Sequence, residues 1–182
     1  MLRRLGVDAV QVRLPEHLRG LDGLVIPGGE STTIGKIATR YGLIEPIREM
    51  IQQGKPVWGT CAGMIVLAKD VGMDRHENLR QPLVGVMDVK VKRNAFGRQV
   101  DSFETDLNVP AINNGDQRPF HAIFIRAPLM DSVGPGVEVL ATLEDGTIVA
   151  ARQENILATS FHPELTHDPR FHKYFIEKLG KD

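Results

Sequence analysis

The sequence predicts a three-layer α/β fold, a mostly parallel sheet with helices on both faces and antiparallel additions, and three observations lead there. Gly23 to Pro27 holds Leu24, Val25 and Ile26 in succession, an apolar run without alternation, as in a parallel strand buried on both faces. A second short apolar run, bounded by Pro56 and Gly59, passes through a small-residue turn directly into the apolar helical segment Ala62 to Val71. After Asp74 the character changes, and short β-like segments follow one another.

In chain order, Met1 to Leu5 reads as the tail of a helix, with Arg3 and Arg4 in its last turn and Gly6 placed to cap it. Val7 to Leu14 alternates toward a strand, and Pro15 to Asp22 is a polar link. The turn Gly28-Gly29-Glu30-Ser31-Thr32-Thr33 follows the first buried strand and opens a helix over Thr33 to Tyr41. Leu43 to Gln53 places Leu43, Ile44, Ile47 and Ile51 on one side of a second helix. Strands are expected over Leu83 to Lys92, Ser102 to Leu107, His121 to Ala127, Val137 to Leu143, Thr147 to Gln153 and Ile156 to Phe161. Asn113 to Asp116 and Asp145-Gly146 mark loops, and an amphipathic helix closes the chain from Pro169 to Leu179. No internal repeat or domain-scale linker interrupts the 182 residues, which fit a single domain with one substantial core.

Composition removes several function classes. A net charge of -1, with no lysine or arginine cluster, provides no electrostatic footprint for nucleic acid. The single cysteine excludes an intrachain disulfide and any reason to invoke an oxidising compartment. No apolar run approaches the length of a membrane span, and the basic start lacks the apolar stretch of a secretory signal, so a cytoplasmic location is expected.

Chemistry concentrates at Cys61. Gly59 and Gly63 flank it at minus two and plus two, the arrangement of a nucleophile elbow with sulfur in place of oxygen. A strand that folds at once into a helix needs small neighbours, and the helix N-terminus favours thiolate over thiol. The bland alternative is a buried cysteine acting as a small hydrophobe; the flanking glycines and the strand-to-helix switch argue against it. A thiolate needs a base and a group to orient that base. His162-Pro163-Glu164 can supply both: Pro163 biases His162 toward an extended backbone, where residues two apart project to the same side. Both motifs stand at the ends of predicted strands, where open α/β sheets place their sites.

The other histidines, His17, His76, His121, His167 and His172, have no such spacing and are read as surface or core residues. His167, Asp168 and His172 form no tight zinc pattern, so no metal is expected. Glu30 to Ile37 contains Gly35-Lys36 but fails as a phosphate loop at both ends. Its double glycine is better suited to exposing backbone amides beside Cys61, with a tight turn and a helix cap from Ser31 or Thr32 as the structural alternative.

Taken together, Gly28 to Thr32, Gly59-Thr60-Cys61-Ala62-Gly63 and His162-Pro163-Glu164 resemble the class I glutamine amidotransferases. Arg93 to Gln99, Asp101 to Glu104, Phe124 to Pro128 and Phe161 to Thr166 narrow the resemblance, over nearly the whole chain, to the glutaminase subunits of pyridoxal 5'-phosphate synthase. The resemblance implies a flavodoxin-like glutaminase fold, with Cys61 as nucleophile, His162 as general base and acid, and Glu164 orienting His162. It implies oxyanion donors at Gly29 and Ala62, and glutamine contacts from Gly29, Glu30, Ser31, Arg93, Ile125 and Arg126. Arginine is suited to the carboxylate of an amino acid ligand. It further implies no cofactor, L-glutamine as substrate and a synthase subunit as partner. A non-catalytic glutamine-binding subunit and another cysteine hydrolase of the same superfold are the alternatives. Members of this group begin with a strand and a turn that precede the helix end seen at Met1 to Leu5, so an N-terminally truncated chain is expected.

Overall fold

The computed structural model describes residues 1–72, 81–92, 102–113 and 117–178. Among these residues the α-helices are α1 (Ser31–Arg40), α2 (Ile44–Gln52), α3 (Ala62–Leu67) and α4 (Arg170–Lys178). The strands are β1 (Leu24–Ile26), β2 (Val57–Thr60), β3 (Ala68–Val71), β4 (Met87–Lys92), β5 (Phe103–Leu107), β6 (Phe120–Phe124), β7 (Leu129–Val133), β8 (Glu138–Thr142), β9 (Ile148–Gln153) and β10 (Ile156–Thr159). One sheet runs β1-β2-β10-β9-β7-β4-β3 with β8 also on β9, and β5 and β6 form a separate ribbon. The pairs β1/β2, β2/β10 and β3/β4 are parallel. Antiparallel pairing joins β9 to β10, β7 and β8, and β4 to β7.

The three layers follow from side-chain alternation. On one face, Leu24, Ile26, Val57 and Ala158 pack with Ala38, Ile47, Met50 and the buried residues of α3. On the other, Trp58 and Leu157 meet Phe171, Tyr174 and Phe175 of α4 and the inner side of the β5/β6 ribbon. Val57 and Trp58 are both fully buried, and so is the rest of β2, which explains why its sequence does not alternate. Asn155 secures the layers at one end, its side-chain amide donating to the carbonyls of Ile51 (3.0 Å) and Lys55 (2.6 Å).

Several expectations need correction. Val7 to Leu14 pairs with no strand among the described residues; its side chains still alternate in exposure, but a strand requires a neighbour to bond. The helix expected to reach Val71 ends at Leu67, and Ala68 to Val71 pair with β4 as β3. All six residues of α3 are buried, so no polar face exists for periodicity to reveal. Strand β7 was not anticipated, because Leu129 to Val133 carries Asp131 and Ser132 on its exposed positions and little apolar signal. The expected strands at Leu83, Ser102, His121, Val137, Thr147 and Ile156 form as β4, β5, β6, β8, β9 and β10 with trimmed ends. Gly6 ends a short 3-10 helix over Leu2–Leu5 at φ 82°, in the left-handed conformation expected of a helix-ending glycine.

Candidate active site

Strand β2 ends at Thr60, and the chain turns at Cys61 into α3 with no intervening loop. Cys61 itself has φ 51° and ψ −111°, a conformation that costs a non-glycine residue roughly 1–3 kcal/mol and persists only where its surroundings dictate it. Those surroundings are specific. The Cys61 amide donates to the carbonyl of Thr159 (2.8 Å), and its carbonyl accepts from Met64 (3.1 Å). A Cβ on Gly63 would strike the carbonyl of Ile26, and one on Gly59 would lie 2.6 Å from the Gly63 carbonyl carbon. Both flanking glycines are therefore demanded by backbone crowding, as the elbow reading requires.

The second half of the site comes from β10, which lies beside β2 in parallel with Thr159 opposite Thr60. Just beyond it, His162 Nδ1 lies 2.7 Å from Glu164 Oε1. The local geometry differs from the extended segment expected: His162 leads into a 3-10 turn over Pro163–Leu165, with φ −107° and ψ 84°. That turn still brings the two side chains together. The backbone amide of His162 donates to the carbonyl of Ile123 (2.9 Å), which ties this residue to the β5/β6 ribbon.

Gly28 shows how close the thiol and the imidazole are. A Cβ built there would lie 2.6 Å from His162 Cε1 and 3.4 Å from the Cβ of Cys61. Those two atoms are therefore well under a nanometre apart, and a side chain at position 28 would displace the imidazole. Sequence reasoning assigned the double glycine to exposed amides and missed this steric role of Gly28; the signal was the glycine at the strand's very end.

Electrostatics follow from these contacts. The hydrogen bond to Cys61 raises the His162 pKa most and the one to Glu164 next; together they overcome burial and push it up to about 10. Burial pushes the Glu164 carboxyl up, but the hydrogen bond to His162, its own backbone amide and the nearby positive charge outweigh that and leave it lowered. The Cys61 thiol also faces the carbonyl of Ile125, at 3.9 Å.

The remaining expected residues are distributed around this centre. Gly29 has φ +149°, open to glycine, and Ala62 is the first residue of α3. Glu30 turns its carboxylate onto its own helix, accepting from the amides of Thr32 (2.9 Å) and Thr33 (2.6 Å) and from the Thr33 hydroxyl (2.6 Å). The Thr33 hydroxyl bond first, with the two amides, holds its pKa down to about 2 against the opposing effect of burial. Glu30 thus takes the capping position that the structural alternative gave to Ser31 or Thr32, and α1 begins at Ser31. The Ser31 and Thr32 hydroxyls both donate to Gln81 Oε1 at 3.1 Å. Ile125 and Arg126 form the bend after β6, exposed, with Arg126 at φ 48°. Arg93 and His76 lie outside the described residues. Among the described residues no group of three or more His, Cys, Asp or Glu is placed to hold a metal ion.

With this geometry in place, comparison with known proteins is informative. A model of the SNO glutamine amidotransferase family matches residues 1–181. A pyridoxal 5'-phosphate synthase subunit PdxT of Herpetosiphon aurantiacus is 59% identical over 176 residues, 97% of this chain and 90% of that protein. Its counterpart in Carboxydothermus hydrogenoformans is 57% identical over 180 residues, 99% of this chain and 90% of that one. A crystal structure of a glutamine amidotransferase with 50% identity superimposes with a TM-score of 0.87, covering 99% of this chain and 90% of the other.

Proposed function

The chain belongs to the SNO glutamine amidotransferase family, and from that premise we propose that it is the glutaminase subunit of a pyridoxal 5'-phosphate synthase, with Cys61, His162 and Glu164 carrying the reaction. The observation that supports this most is the meeting of a strained, elbow-mounted cysteine and a carboxylate-held histidine at the ends of two adjacent parallel strands.

The chemistry follows from the charges. The His162 imidazole, pushed up to about 10, is cationic at neutral pH, and a cation beside a cysteine is the setting that favours nucleophilic sulfur. The Cys61 sulfur attacks the side-chain carbonyl carbon of L-glutamine, and the oxyanion that forms is held by the amides of Gly29 and Ala62. Removing one such donor typically costs roughly 100- to 1000-fold in rate. His162 then gives its proton to the departing nitrogen, the carbon–nitrogen bond breaks, and ammonia leaves a thioester on Cys61.

Forming the thioester removes the hydrogen bond to Cys61 that raises His162 most, so the imidazole becomes a competent base for the second half. It takes a proton from water, the hydroxide adds to the thioester, and collapse releases glutamate and the sulfur. Glu164 holds the ring orientation through both halves. Glutamine itself is gripped by Gly29, Glu30, Ser31, Arg93, Ile125 and Arg126, with Glu30 also capping the helix that follows it.

Ammonia free in neutral water becomes ammonium and loses its nucleophilicity, so it must pass under shelter to a second active site. The synthase subunit of the complex is that acceptor, using ammonia to build pyridoxal 5'-phosphate. The test is a glutamate-release assay with and without synthase, on wild type and Cys61→Ser. Release that needs Cys61 and rises with synthase is expected; release that survives Cys61→Ser overturns the assignment.

A further inference from the structure

We propose that Trp58 and Thr159 form a brace that sets the spacing of Cys61 and His162, which makes Thr159 a positioning residue; this rests on the roles given to Cys61 and His162 above. Trp58 Nε1 donates to Thr159 Oγ1 at 3.2 Å, across 101 residues of sequence, with both side chains fully buried. Trp58 lies three residues before Cys61 on β2, and Thr159 lies three before His162 on β10. The same threonine accepts the Cys61 amide on its backbone carbonyl at 2.8 Å. One residue therefore touches the strained turn of the nucleophile with its main chain and the nucleophile's strand with its side chain, while its own strand delivers the base.

The indole has no freedom to find another acceptor. It packs on Phe171 (ring centroids 6.3 Å apart), Phe175 (5.6 Å) and, edge-on, His172 (5.1 Å). His172 adds no competing charge, since burial above all drives its pKa down to about 4, and among the described residues its buried Nδ1 has no hydrogen-bond partner. The rest of β10 is Ile156, Leu157 and Ala158, so a hydroxyl at position 159 stands out in an apolar strand. Valine has the same shape and fills the same space; what it lacks is the acceptor for Trp58. Packing alone does not call for threonine here, whereas a fixed distance between two catalytic strands does, because a misplacement of about 1 Å can cost roughly 100-fold in rate.

The test uses Thr159→Val, Thr159→Ser and Trp58→Phe in the full chain. Alkylation of Cys61 by iodoacetamide between about pH 5 and 9 reads the thiolate in the free protein, and steady-state kinetics are measured with synthase present. Thr159→Val is expected to slow alkylation at neutral pH by about fivefold or more, to move its pH profile upward, and to lower kcat about tenfold with KM within about twofold. Thr159→Ser keeps the acceptor and stays within about twofold of wild type on every measure. Trp58→Phe removes the donor and leaves the fully buried Thr159 hydroxyl without it, so it follows Thr159→Val in direction and carries the decision if that variant does not fold.

Thr159→Val with a lower melting temperature but an unchanged alkylation profile and kcat overturns the brace, and so does Thr159→Ser as impaired as Thr159→Val. A wild type whose Cys61 is alkylated normally but which releases no glutamate with synthase sinks the glutaminase reading instead, and the alkylation profiles still decide the brace.

Discussion

Two histidines in this molecule make nearly the same hydrogen bonds and are put to different use. His121 on β6 sits between Asp106 (2.8 Å) and Glu104 (2.9 Å) of β5. His162 sits 2.7 Å from Glu164. Both pKa values are raised, His121 by the Asp106 and then the Glu104 hydrogen bond, His162 by Cys61 and then Glu164. Their settings separate them: the His121 side chain is 53% exposed and that of His162 is 13% exposed. On an open ribbon the charge is shared with water, and exposed ion pairs of this kind add little to stability. Beside buried Cys61 the imidazole is shielded from water and has the sulfur as its first partner. The local motif of histidine and carboxylate is therefore common to both; burial and the neighbouring sulfur set His162 apart.

The comparison can be broken or sharpened by experiment. The largest effect is expected from Cys61→Ser, which should lower synthase-stimulated glutamate release by roughly 1000-fold or more. In the same variant the proton resonances of His162 should titrate at lower pH than in wild type, since its principal partner is gone, while those of His121 stay where they were. If both histidines move, or neither does, the distinction drawn between them fails.

Gly28→Ala should come next. Its Cβ points at His162 Cε1, only 2.6 Å away, so the imidazole must shift and kcat should fall by about 100-fold. Circular dichroism checks that the fold survives; full activity in this variant refutes the placement of the base. Glu164→Gln keeps a hydrogen-bond acceptor but loses the charge, and should cost about 10- to 100-fold in kcat, with the pH profile of Cys61 alkylation moved toward alkaline pH.

The smallest effect belongs to His121→Gln. A histidine whose folded pKa is raised stabilises fully below its unfolded value of about 6.5 and loses that contribution as pH rises through the folded value. The melting difference between wild type and His121→Gln should therefore be largest near pH 6, no more than about 3 °C, and vanish at alkaline pH. Glutaminase activity should remain within about twofold at every pH. A larger loss of activity would make the ribbon part of the machinery.

How far the sequence was legible varies from one region to another for physical reasons. The elbow could be read because backbone crowding at Cys61 leaves glycine as the residue that fits at positions 59 and 63, and composition records that demand directly. The wholly buried α3 could not be bounded, since six apolar residues followed by alanine give no change of period where helix becomes strand. Position 30 also has a structural role that the resemblance did not disclose: its carboxylate caps the helix it precedes.

By itself the sequence determined the α/β class and singled out one thiol, one imidazole and one carboxylate as candidates, because each stands in a motif that spans only a few positions. Tertiary structure decided everything that joins distant parts: the neighbouring of β2 and β10, the clearance that Gly28 gives His162, the raised pKa of that histidine, and the reach of Trp58 to Thr159. Those depend on atoms about a hundred residues apart in the chain, brought into contact by burying a shared apolar core, and no local pattern records a distance of that kind.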